Sequence, residues 1–80
     1  MIVAERGKVN QRIIDRMTEV VNQLKENSNS MTDRDRYAMA IWAMENHSLG
    51  LVSTKVTDRF IQIVCPDYWE CYIAGVRGEK

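Results

Sequence analysis

Thr32-Asp33-Arg34-Asp35-Arg36-Tyr37-Ala38-Met39-Ala40-Ile41-Trp42-Ala43-Met44 holds both the start and the body of a helix. Thr32 supplies a hydroxyl cap. Asp35, three residues on, resembles the partner in a capping box, with Asp in place of Glu or Gln. Asp33 and Asp35 also suit the positive end of the helix dipole. The run from Tyr37 to Met44 is apolar on every face, the pattern of a helix enclosed on most sides. This segment therefore reads as the central helix, with residues 37–44 least exposed and Ile41 in the core. Ala38, Ala40 and Ala43 are small enough to let neighbours approach closely. His47 falls in the last turn, and Gly50 suits a left-handed stop.

Upstream, Val9, Ile13, Met17, Val20, Val21 and Leu24 recur at steps of three and four, with Ile14 widening the stripe. Arg12, Asp15, Arg16, Glu19, Gln23 and Glu26 fall on the other side. That is an amphipathic helix. Arg16 and Glu19 are spaced to pair weakly. The helix ends in Asn27-Ser28-Asn29-Ser30, residues that favour turns.

Downstream, Val56, Phe60, Ile63 and Val64 follow i, i+4, i+7, i+8 after caps at Ser53 or Thr57. Pro66 ends that segment. Asp67 can cap a further turn carrying Trp69, Tyr72 and Ile73, closed by Gly75. Arg77-Gly78-Glu79-Lys80 reads as a frayed tail. The rival for this region is a β-hairpin over about 60–76, because Phe60 to Cys65 and Trp69 to Val76 are rich in β-formers. The expected fold is all-α, a single small three- or four-helix domain over residues 1–80. The alternative is α+β, two helices followed by that hairpin.

Lys plus Arg number 11 and Asp plus Glu number 11, so the chain is neutral. The balance holds in each half, and neither a phosphate-binding basic surface nor an acidic mimic of DNA is evident globally. The one local excess is Arg6, Lys8, Arg12 and Arg16 against Asp15. The opening residues are too briefly apolar for a signal peptide or a membrane span. A cytoplasmic protein with no membrane association is the expectation, with Cys65 and Cys71 as free buried thiols.

No catalytic, cofactor or metal residue is expected. Cys65, Cys71 and His47 are the only soft ligands, and the cysteines lack the close pairing of a zinc site. Ser48 and Ser53 lie near His47, the only histidine, but nothing resembles a nucleophile elbow or an oxyanion nest, and Cys65 has no activating charge. The four glycines are scattered, so no phosphate loop exists.

Two binding readings remain. Leu49-Gly50-Leu51-Val52-Ser53-Thr54-Lys55-Val56-Thr57-Asp58-Arg59-Phe60 has the glycine and flanking apolar residues of a helix-turn-helix corner. Ser53, Thr54, Lys55, Thr57 and Arg59 would then face DNA, as in a transcriptional regulator. Asn46, where a small apolar residue is usual, and the neutral charge count against it. The leading reading is a non-enzymatic protein-binding module. An accessory inhibitor or regulator of a larger host assembly, of the phage or mobile-element type, has this size and this lack of chemistry. Two tryptophans, three tyrosines and Phe60 are hard to enclose in 80 residues. Tyr68 and Trp69 are expected to be partly exposed and, with Tyr72, to anchor a protein partner. A structural homodimer is a third reading.

Overall fold

The computed structural model describes residues 2–76, with side chains over 9–75. The tail from Arg77 to Lys80 lies outside the described residues. Four helices follow in order: α1 (Ile2–Glu26), α2 (Asp33–Ser48), α3 (Thr54–Val64) and α4 (Pro66–Cys71). A π-helical turn, Tyr72–Val76, completes them. The described residues contain no strand, so the hairpin at 60–76 is overturned.

The reason lies at Cys65-Pro66. The ring of Pro66 bars Cys65 from helical geometry, and Cys65 takes φ −147° and ψ 80°. Pro66 then opens α4, where its fixed φ fits and its missing N–H is not needed. The proline therefore joins two helices instead of turning two strands. Asp67 lies inside the first turn of α4 and does not cap it.

Both long internal helices begin as their sequences require. The Thr32 hydroxyl accepts the Asp35 N–H at 3.1 Å. The Ser53 hydroxyl accepts the Val56 N–H at 3.2 Å, which settles the α3 cap on Ser53. Helix α2 ends in a Schellman turn. The Gly50 N–H donates to the His47 carbonyl at 2.9 Å, and the Leu51 N–H to the Asn46 carbonyl at 3.0 Å. Gly50 has φ 77°, the one left-handed residue among those described. In the α1–α2 loop, Asn27 accepts the Asn29 N–H through its side chain at 3.0 Å. The Arg36 guanidinium donates to the Ser28 carbonyl and ties that loop to α2.

The central helix is α3, not α2. Helix α3 packs against α1, α2 and α4. Its inner face is Thr57, Phe60, Ile61 and Val64, all within 3% of full burial. Burying each of the three apolar side chains stabilises the fold by roughly 1.5–3 kcal/mol. The inner face is rotated from the expected one, since Val56 and Ile63 remain exposed. Thr57 replaces them because its hydroxyl donates to the Ser53 carbonyl at 2.8 Å. An internally satisfied hydroxyl removes the 1–3 kcal/mol, approximately, that a buried unpaired one would cost.

Helix α2 buries only Ala40 and Ala43 completely. Met39, Trp42 and Met44 pack on the core from its flanks, while Ile41 stands outside the core cluster. Tyr37 is exposed. The expectation that residues 37–44 are the least exposed therefore fails. The domain is too thin to wrap α2: its shortest dimension is 17 Å. Its radius of gyration is 13.0 Å, against roughly 11.6 Å for a compact chain of this length.

Helix α1 matches its stripe at Ile13, Met17, Val20 and Leu24, which are buried. Val9 and Ile14 are exposed. Gly75 sits within the π turn without a left-handed φ, so it does not act as a stop.

Candidate functional site

The helix corner comes first. His47 Nδ1 lies 3.0 Å from the Val52 carbonyl, and Nε2 lies 3.3 Å from the Thr54 hydroxyl. A carbonyl only accepts, so Nδ1 donates to Val52, and in that Nδ1–H tautomer Nε2 accepts from the Thr54 hydroxyl. His47 thus braces the turn between α2 and α3. Asn46, the residue out of place in a helix-turn-helix, donates through its side chain to the Trp42 carbonyl at 2.8 Å.

Of the five residues assigned to DNA contact, Ser53, Thr54, Lys55 and Arg59 are exposed. Thr57 is fully buried and faces the core. It cannot project from a recognition surface. Of the upstream basic cluster, Arg16 pairs with Glu19 at 3.2 Å in a solvent-exposed bridge. The side chains of Arg6 and Lys8 lie outside the described residues.

The aromatic residues form a chain across α2, α4 and the π turn. Tyr37 meets Tyr68 edge to face, with ring centroids 5.1 Å apart. Tyr68 and Trp69 each stack near Tyr72, at 6.2 and 6.0 Å. Tyr72 is 1% exposed and is a core residue, which removes it from the anchor set. Tyr68 and Trp69 are half-buried against the core. The most exposed ring is Tyr37 instead, at 49%. Burial raises the Tyr68 pKa above its usual 10.0, helped by the nearby Tyr37, Cys71 and Glu45.

Cys65 is half-buried and Cys71 is exposed, so the expected pair of buried thiols is corrected at Cys71. Among the described residues no three His, Cys, Asp or Glu side chains converge in a way that could hold a metal. No helix among them is long and apolar enough to cross a membrane.

A concavity of about 680 Å³ lies between α1 and α3. Its walls are Ile14, Met17 and Val21 from α1, and Val56, Phe60 and Ile63 from α3. Lys25, Lys55 and Arg59 line it as well, against one carboxylate, Asp58. Ile14, Val56 and Ile63 are 38%, 38% and 41% exposed. They are half of the six large apolar residues left exposed among the described residues, and all three line this groove. Single exposed apolar residues need no explanation, whereas a converging set marks a contact surface. A second, smaller recess joins the start of α2 to the α3–α4 junction. Asp33, Asp67, Arg34 and Arg36 line it, so its charges cancel.

No family model, no curated protein and no solved structure matches this chain.

The groove was missed in the sequence for an identifiable reason. Helical spacing predicts buried positions for Val56, Ile63 and Ile14, since apolar residues so spaced usually face a core. The available signal was surplus: α3 carries more apolar positions than one buried face can use, namely Val56 and Ile63 beside Phe60, Ile61 and Val64.

Proposed function

We propose that this domain is a non-enzymatic protein-binding module and that it binds through the α1–α3 groove. The observation that supports this is the convergence of Ile14, Val56 and Ile63, each about two-fifths exposed, on one concave apolar surface. Desolvating such a patch against a partner contributes roughly 25 cal/mol per Å² of apolar area before the costs of association. The groove also supplants Tyr72 as the place to look for anchors. Regulation or inhibition of a larger assembly is the role this reading allows for so small a chain.

Helix-turn-helix recognition of DNA is the second reading. It is favoured by the exposed Lys55 and Arg59 on one side of α3. It is weakened by Thr57, which belongs to the core, and by the apolar residues interleaved with the two cations.

Affinity capture from native-source lysate, with and without nuclease, separates them. The wild-type chain and an Ile63→Asp variant serve as baits, both checked for helicity by circular dichroism. The expected result is a protein captured regardless of nuclease and lost with Ile63→Asp. Capture abolished by nuclease, or steep salt-dependent binding of the pure protein to duplex DNA, favours the second reading.

A further inference from the structure

We infer that the occupant of the α1–α3 groove is an amphipathic helix whose apolar stripe is flanked by acidic residues; the inference rests on the protein-binding reading above. The mode follows from the architecture. The described residues offer no strand edge, so strand addition is unavailable. Two helices form the walls, and a helix laid along their seam is the arrangement that fills such a trough. Helix α3 has 11 residues, or about 16 Å of length. Anchors at i, i+3, i+4 and i+7 of a partner helix span about 10 Å and fit within it.

The flanking charge follows from the rim. Lys25 comes from the last turn of α1, and Lys55 and Arg59 come from α3. Three cations stand against Asp58. An acidic flank meets complementary potential there, which speeds encounter and selects against basic partners. The same rim argues against a second copy of this chain in a symmetric dimer. A two-fold axis through the groove would face this net positive rim with a copy of itself. Like charges so placed disfavour the pairing.

The test is selection of helical peptides of about 18 residues, long enough for the stripe to cross the groove. The apolar stripe is fixed, the flanking positions are random, and the full chain is immobilised. Acidic flanks are expected to be enriched. The selected peptide should bind about tenfold more weakly to the Lys55→Glu/Arg59→Glu variant, the loss expected from reversed rim charge. It should not bind Ile63→Asp. Both variants alter exposed residues, and their helicity is verified first. Enrichment of neutral or basic flanks overturns the inference, as does failure to enrich any peptide over the Ile63→Asp background. So does displacement of the peptide by duplex DNA or by phosphatidylserine vesicles at sub-stoichiometric peptide occupancy. If the lysate partner is still captured through the groove while acidic peptides fail, the protein-binding reading stands and the acidic helix falls. If both fail, both fall.

Discussion

Tyr37 of α2 and Tyr68 of α4 meet edge to face, their ring planes at 87° and their centroids 5.1 Å apart. The contact sets the edge of one ring, where the hydrogens are positive, against the negative face of the other. It joins two helices that are far apart in sequence, and it brings Tyr68 into an environment that disfavours its phenolate. Burial is the main cause, followed by Tyr37, Cys71 and Glu45.

The first prediction is a pH dependence. Tyr68 has a folded pKa above the unfolded value of 10.0. A group raised on folding binds its proton more tightly in the native state. Its contribution is therefore complete below pH 10.0 and is lost as pH rises through the folded pKa. Urea midpoints should decline above that pH more steeply for wild type than for Tyr68→Phe. Equal slopes would show that Tyr68 does not contribute.

The second prediction concerns the core. Ile61 is 0% exposed on α3, whereas Ile41 stands outside the core cluster on α2. Ile61→Ala should cost about 2–5 kcal/mol, enough to unfold many domains of this size. Ile41→Ala should cost no more than about 1 kcal/mol. Chemical denaturation of both variants reads the contrast. The reverse order would restore α2 as the centre.

The third prediction uses two glycines. Gly50 holds φ 77° in the Schellman turn. An alanine there takes on roughly 1–2 kcal/mol of left-handed strain. Gly75 has no left-handed φ, and a Cβ added to it meets nothing within 4 Å among the described residues. Gly75→Ala should be neutral or stabilise by about 0.4–1 kcal/mol through the unfolded state. Thermal melts should therefore shift in opposite directions, or at least leave Gly75→Ala no lower than wild type.

The fourth prediction concerns the corner. With Nδ1 donating to the Val52 carbonyl, His47 should show the Nδ1–H tautomer by nitrogen-15 chemical shift. His47→Ala should destabilise by about 1 kcal/mol, the net value of one good hydrogen bond. Thr54→Val should cost less, since its 3.3 Å contact is long and exposed. An Nε2–H tautomer would contradict the brace.

Local chemistry was legible in the sequence wherever a backbone group needs a particular partner. The Thr32 cap, the Gly50 stop and the buried stripe Ile13, Met17, Val20 and Leu24 each follow from rules that act within a few residues. The absence of strands was readable only in part, because Phe60 to Val64 suits either structure until Thr57 is known to complete the helical face.

Which apolar residues reach the core was decided by the tertiary structure. Sequence patterning shows that a residue can be buried, but not whether enough chain exists to cover it. Eighty residues supply one well-covered helix. That place went to α3 because α1, α2 and α4 all pack on it. Tyr37 is left exposed and Ile41 only half-buried, while Tyr72 is enclosed. Thr57 could go inside because Ser53 satisfies its hydroxyl, which leaves Val56 and Ile63 beside Ile14 in the groove. That placement depends on how two helices distant in sequence are rotated against each other, and no local rule fixes such a rotation.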